Sequence, residues 1–195
     1  MGRPSPSSIV PSWDALYELA APQDGYFSAA QARDAGYSLP LLQYYLGRRR
    51  LLRVGRGIFR LVHFPAGEHE DLVVLWLWSG REGVFSHETA LALHELSDVM
   101  PATRHMSVPA RWTRRRVKVP EGVELHFADV VAEQTRWVGA VAVTAPLRTI
   151  EDCVAAHVSP EWIEQAARQG VERGLFSSAA VNKARGRRAA KARAR

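Results

Sequence analysis

Between Ser38 and Arg56 the chain carries Gln43, Tyr44, Arg48, Arg49, Arg50, Arg53 and Arg56. A glutamine amide sets a donor beside an acceptor, a tyrosine offers a ring and a hydroxyl, and an arginine presents a planar fork of N–H donors. These groups suit the phosphates and base edges of a nucleic acid: the charges position, and the amide and ring read. Ser38, at the start of the same stretch, is counted with them as a candidate contact. The plainer alternatives are solvated arginines on a small helical domain, or a surface that docks protein. Two further basic groups are candidates for an accessory surface. One is Arg111, Arg114, Arg115 and Arg116, interrupted by Trp112 and Thr113; the other is Lys183, Arg185, Arg187 and Arg188 near the C-terminus.

Enzymatic chemistry finds no support in the spacing. His87-Glu88 would need a second histidine four positions on to put two imidazoles on one helix face, and that position is Leu91. His94-Glu95 follows seven residues after the first pair, so the two pairs share a helix face, and two histidines and two acids there could in principle hold a metal; no further ligand pattern accompanies them, so capping or surface histidines are expected. Cys153 sits beside Val154 on an apolar helical pattern with no activating base and reads as a buried structural thiol. Gly55-Arg56-Gly57 is too short for a phosphate-cradling loop. Glu124-Leu125-His126 has histidine where the acid-x-Lys strand of a metal-dependent nuclease has lysine. No catalytic residue, no metal site and no cofactor is expected.

The elements that must position Gln43, Tyr44 and the arginines are short. Ser28 caps a helix over residues 29–35, which Gly36 ends at C′. Ser38 caps a second helix, with Pro40 in its first turn. There Leu39, Leu42 and Leu46 make a buried face, while Pro40, Leu41, Gln43, Tyr44, Gly47 and Arg48 point elsewhere. Residues 51–54 and 58–62 read as a hairpin turning at Arg56 between two glycines. Upstream, Ser12 caps a helix over 13–21 whose Leu16, Leu19 and Ala20 face inward, and Tyr26-Phe27 is a short extended piece. Helix, turn, helix and hairpin together resemble a winged helix-turn-helix DNA-binding module. In such a module the second helix enters a major groove, Arg48, Arg49 and Arg50 meet phosphates, and Arg56 reaches a minor groove. Its core would be Leu16, Leu19, Leu42, Leu46, Val54 and Phe59.

Phe64-Pro65-Ala66-Gly67 reads as a boundary. Beyond it come an apolar helix over 68–79 with Leu72, Leu75, Trp76 and Trp78 inward, and a helix capped by Ser86 that packs through Ala90, Leu91, Leu93 and Leu96. Strands are expected over 104–109 and 123–127, with one apolar strand run over 137–144. Pro146 opens a helix to Ala156 with Leu147, Ile150, Cys153 and Val154 inward. A helix from Ser159-Pro160-Glu161 to Arg173 follows, and a last one starts at Ser178. The expected class is α+β. An N-terminal stretch without structure (1–11) precedes the winged helix-turn-helix (12–66), a mixed helix and strand domain (67–182) and a basic tail (183–195).

The chain has 195 residues, enough for one domain or two small ones, and its 47% hydrophobic and 24% charged residues are ordinary for a globular protein. The net charge of +6 is unevenly placed: residues 183–195 hold seven basic residues and no acid, leaving 19 basic against 20 acidic residues before them. Such a terminal block binds polyanions or merely solubilises. Cys153 is the single cysteine, which excludes an intrachain disulfide and fits a reducing, cytoplasmic setting. The longest apolar run, Leu72 to Trp78, is far too short to span a bilayer, and the N-terminus lacks a signal-peptide core, so no membrane partner is expected.

Residues 85–94 (Phe85-Ser86-His87-Glu88-Thr89-Ala90-Leu91-Ala92-Leu93-His94), then Asp98, Pro101 and His105-Met106-Ser107-Val108-Pro109, resemble the central signature of type IV abortive-infection (AbiEi-like) antitoxins. Residues 143–152, Val143-Thr144-Ala145-Pro146-Leu147-Arg148-Thr149-Ile150-Glu151-Asp152, resemble their later strand-to-helix motif, and the likeness covers most of residues 12 to 175. It implies a non-enzymatic, two-domain protein. The first domain binds inverted operator repeats, with cooperative self-association on DNA, and represses its own operon. The second opposes a nucleotidyltransferase toxin, directly or functionally. After the later motif the chain is shorter than larger family members. Two other classes stay open: a winged-helix regulator without a toxin partner, whose second domain dimerises or binds an effector, and a degenerate relative of a nuclease.

Overall fold

A computed structural model describes residues 10–193, and within its last helix the side chains of Arg185 and residues 187–193 are outside the description. Most of the N-terminal stretch expected to lack structure, and the tail side chains Arg185, Arg187 and Arg188, therefore lie outside the described residues. The chain is α+β and divides into two compact units, residues 1–81 and 82–195, each with its own sheet. No helix among the described residues is long and apolar enough to cross a membrane.

In the first unit α1 (Trp13–Ala20) precedes β1 (Tyr26–Ser28), α2 (Ala29–Asp34), α3 (Leu39–Gly47), β2 (Leu51–Gly55), β3 (Ile58–Leu61) and α4 (Glu70–Trp78). The helix starts follow local chemistry. Ser12 accepts from the Ala15 N–H, and Ser28 and Gln31 form a reciprocal capping box at α2. At the end of α2, Gly36 takes φ 85° while its N–H bonds Arg33 and that of Tyr37 bonds Ala32, the paired bonds of a Schellman turn. The strands form an antiparallel sheet in the order β1-β3-β2. Leu16, Ala20, Phe27, Ala32, Tyr37, Leu42, Leu51, Phe59 and Leu61 make the core.

Three expectations for this unit need correction. Leu39 is 64% exposed, because α3 turns Leu42 fully inward and packs Leu41, Tyr45 and Leu46 beside it. Val54 is also exposed: β2 is an edge strand, and a bulge between Arg53 and Gly55 takes it out of register with the core. In α4, Val73 and Leu77 are buried with Leu72 and Trp76, whereas Leu75 and Trp78 are only half-buried. The division of the chain falls after Arg81, one helix beyond the expected boundary at 64–67. Arg60 of β3 accounts for this. It donates to the Phe64 and Pro65 carbonyls and pairs with Glu70 at 2.9 Å, tying the start of α4 to the sheet.

In the second unit β4 (Val84–Phe85), α5 (His87–Leu93), β5 (Arg104–Val108), β6 (Val123–Phe127), β7 (Thr135–Val138), β8 (Val141–Thr144), α6 (Pro146–Ala155), α7 (Pro160–Glu172) and α8 (Ser178–Arg193) follow in turn. The sheet order is β6-β5-β4-β8-β7. The β5–β6 and β4–β8 pairs are parallel, and the β4–β5 and β7–β8 pairs antiparallel. Leu91, Leu96, Val99, Ile150, Cys153, Val154, Ile163 and Ala166 pack one core. Burial pushes the Cys153 thiol far above its ordinary pKa, as expected of a structural cysteine.

The expected single strand over 137–144 is instead the hairpin β7–β8. Its two-residue turn opposes Val138 to Val141, and Gly139 supplies the positive φ. α5 is shorter than its pattern suggested. Glu95 enters the left-handed region at φ 53° and closes a Schellman turn, so Leu93 ends the helix and Leu96 packs from the loop. Ser86 holds the N-cap position of α5 without a side-chain cap bond; its buried hydroxyl instead meets Ser107 and His87, each at 2.9 Å.

Candidate functional site

Helix α3 presents Gln43, Tyr44, Gly47 and Arg48 to solvent. Ser38 begins it, its hydroxyl accepting from the Leu41 N–H at 3.3 Å and so already engaged in the cap. The three arginines that follow do different things. Arg48 lies over the Tyr44 ring at 5.1 Å, which stiffens both side chains on the exposed face. Arg49 sits at φ 55°, the left-handed C′ position of a Schellman turn: its N–H bonds Leu46 and that of Arg50 bonds Tyr45. Arg50 folds over the Trp13 ring at 3.9 Å and near Tyr45, so it braces α1 against α3 instead of remaining an unengaged charge like Arg49.

The hairpin follows directly after these arginines. Gly55 opposes Ile58 across the two-residue turn Arg56-Gly57, which exposes Arg56 at the tip, and Gly57 takes φ 71°. The Gly57 carbonyl accepts from the Ala29 N–H at 2.8 Å, tying the turn to the start of α2. Arg53 Nε reaches the Gly55 carbonyl at 3.4 Å along the bulged edge. The side chains of Arg49 and Arg56 have no hydrogen-bond or ion-pair partner among the described residues. Gln43, Tyr44, Arg48 and Arg49 are thus exposed on and just after α3, and Arg56 is exposed at the hairpin tip.

In the second unit the loop arginines are partly neutralised. Glu82 pairs with Arg111 and, at 3.6 Å, with Arg115, and accepts the Trp112 indole N–H at 2.9 Å. Arg115 also lies over Trp112 at 4.8 Å, while Arg114 and Arg116 remain exposed. Glu82 and Trp112 therefore fold this cluster back on the body, and only part of its charge is left for a polyanion.

A separate group of residues comes together on the sheet of the second unit. His105 and Ser107 alternate on one face of β5, and the parallel register sets them opposite Glu124 and His126 of β6. His105 Nε2 lies 3.0 Å from Glu88 and 3.2 Å from the Thr103 hydroxyl. A carboxylate accepts, so of the two neutral tautomers the one with its proton on Nε2 suits Glu88 and leaves the Nδ1 lone pair free. That Nδ1 faces His126 Nε2 at 3.0 Å, and Glu124 oxygens stand 3.8 Å from the first nitrogen and 3.7 Å from the second. His87, at φ 51°, stacks on His126 with ring centroids 3.6 Å apart. Burial pushes His87 down to about 3, with His126, His105 and Arg148 adding to the effect. Burial and His105 also lower His126, against the pull of Glu124. Neutral imidazoles are ligands and hydrogen-bond partners, not fixed charges.

The pairing of His87-Glu88 with His94-Glu95 is not realised. Because α5 ends at Leu93, His94 turns away and donates from Nε2 to the Thr144 carbonyl at 2.7 Å. His87 and Glu88 join His105, Glu124 and His126 instead. Sequence reasoning placed Glu124 and His126 on one strand but missed His105. The alternation His105-x-Ser107 beside Glu124-x-His126 was the available signal.

No protein-family model and no curated protein matches this chain. Among solved structures, the RV2827C protein from Mycobacterium tuberculosis is similar with a TM-score of 0.43 and 13% identity, over 93% of this chain and 84% of that one. A likeness of that size carries no argument about fold or function.

Proposed function

We propose that the first unit is a winged helix-turn-helix that binds operator DNA, and that the whole chain is the antitoxin and autorepressor of an operon whose toxin is a nucleotidyltransferase. The observation that carries the DNA-binding half is the exposed face of α3. Gln43 and Tyr44 are exposed with Arg48, which lies over the Tyr44 ring, and with the left-handed Arg49, and the hairpin that follows holds Arg56 out at its tip. On this reading the nine-residue helix with such a face enters a major groove, and the hairpin serves as the wing that contacts backbone or minor groove. The antitoxin half rests on the resemblance of residues 85–109 and 143–152 to type IV abortive-infection antitoxins. On this reading the protein is not an enzyme.

The test uses DNA from upstream of the protein's own reading frame. Gln43→Ala and Tyr44→Ala should each reduce the preference for that DNA over random sequence, by about 1–3 kcal/mol where a good base contact is lost. Retention of the full specificity ratio by both variants, measured at one salt concentration, removes α3 as the reading helix.

A further inference from the structure

We infer that His105, His126 and Glu124 hold a divalent zinc-class ion on the sheet of the second unit, with Glu88 orienting His105 from behind. The inference does not depend on DNA binding and assigns this face of the second unit a ligand of its own.

The three donors meet on geometry. One ligand atom from each residue lies within 4.8 Å of the other two. Zinc bonds to imidazole nitrogen and carboxylate oxygen run about 2.0–2.2 Å, so two ligands on a tetrahedral ion stand about 3.3–3.5 Å apart. The two ring nitrogens are 3.0 Å apart, and the two oxygens of the Glu124 carboxylate stand one 3.8 Å from His105 Nδ1 and the other 3.7 Å from His126 Nε2, on either side of that value. Accommodating an ion takes only a slight parting of the two rings and a turn of the Glu124 carboxylate, whose side chain is 57% exposed and free to adjust. The rings are better held. The His105 and His126 side chains are 11% and 21% exposed, and parallel strands fix their spacing.

The chemistry of the donor set points the same way. Two imidazole nitrogens and one carboxylate oxygen, with a fourth position left to water, suit a borderline-soft ion such as zinc better than calcium or magnesium, which take oxygen ligands. His105 has the arrangement that metal-bound histidines show: one ring nitrogen toward the ion and the other donating to a carboxylate. Here Nε2–H donates to Glu88, which α5 carries in its first turn, and the Thr89 hydroxyl accepts the His105 backbone N–H at 2.8 Å. Without an ion, the two facing nitrogens must share one proton, His126 Nε2–H donating to His105 Nδ1. The competing arrangement is therefore a hydrogen-bonded histidine pair with no affinity for metal.

The experiment uses the full chain, stripped with a chelator and titrated with zinc chloride by calorimetry, with thermal unfolding followed with and without one equivalent of zinc. The wild type should bind one ion and gain thermal stability, since a ligand that binds only the folded state stabilises it. His126→Gln and Glu124→Gln should each weaken binding at least tenfold and lose most of that gain. Glu88→Gln, which touches no ion, should weaken binding by about 10–100-fold. His63→Gln, in the first unit, should bind as the wild type does. Should His126→Gln fail to fold by circular dichroism, the exposed Glu124→Gln decides alone. No zinc taken up by the wild type, or zinc bound equally by wild type and Glu124→Gln, overturns the assignment in favour of the hydrogen-bonded pair.

Discussion

Replacing Arg49 separates two effects that the turn after α3 combines. An L-residue in the left-handed region is penalised by about 1–2 kcal/mol, and Arg49 sits there at φ 55° because the Schellman turn demands it. Arg49→Gly removes that penalty but makes the unfolded chain more flexible, which returns roughly 0.5–1 kcal/mol. The net expectation is a first unit more stable by about 0.5–1 kcal/mol, or a few degrees in melting temperature for a unit of this size. Arg49→Ala keeps the strain and gains nothing of the kind. Both variants lose the same charge. If Arg49 meets a phosphate, the slope of log affinity against log salt should shrink by about 0.9 for each variant. The assay is thermal unfolding of both proteins alongside a salt titration on one duplex. Equal stability of the glycine and alanine variants refutes the strain argument, and an unchanged salt slope in both takes Arg49 off the DNA.

A fragment of residues 1–81 should fold and bind DNA, whereas one ending at residue 67 should be less stable, because it loses the Arg60–Glu70 pair and the buried side chains of α4; equal unfolding midpoints would show α4 to be dispensable. If the chain is an antitoxin as proposed, the 1–81 fragment should not rescue growth in co-expression with a nucleotidyltransferase toxin of its operon, and rescue would overturn the assignment of that role to the second unit. His94 is held below its ordinary pKa by burial first, with Arg173 and Arg136 adding and its bond to the Thr144 carbonyl opposing. The unfolded chain therefore binds more protons below about pH 6.5, so this contribution to stability is present above that pH and lost as pH falls. His94→Gln should flatten the decline of stability between about pH 7 and 5, by at most about 1.4 kcal/mol per pH unit, and an unchanged slope in thermal unfolding would contradict it.

Local chemistry made the first unit largely readable. Ser12, Ser28 and Ser38 cap the helices they precede, and Gly36 ends α2 as a glycine at C′ should. The hairpin followed from two apolar runs around Gly55-Arg56-Gly57. What could not be read was the part set by packing. The three-leucine pattern of α3 is compatible with two rotations of the helix. The structure takes the one that lets Tyr45 pack against Trp13 and Tyr37, which leaves Leu39 out. Arg50 looks like its two neighbours in the sequence, and only the approach of Trp13 from α1 turns it into a brace.

The histidine cluster was hidden for a different reason. Alternation along a strand is local, so Glu124 and His126 share a face by sequence alone, as do His105 and Ser107. Which face of one strand meets which face of another depends on register, and a one-residue slip would put His105 opposite Val123 or Leu125 and scatter the donors. Register across a parallel pair is not set by a turn, since the chain must cross over between the strands. Here the crossover runs through Trp112, pinned by Glu82 just before β4, and returns at Gly122, whose carbonyl accepts the Arg104 N–H at 2.7 Å. The same physical account explains the failed pairing of His87 with His94. Seven residues on a continuous helix would align them, but the left-handed Glu95 stops α5 first. That frees His94 for Thr144 and leaves His87, at the strand-to-helix corner, stacked against His126 on the sheet. The residues that converge on the sheet were thus the ones whose partners a helical period could not supply.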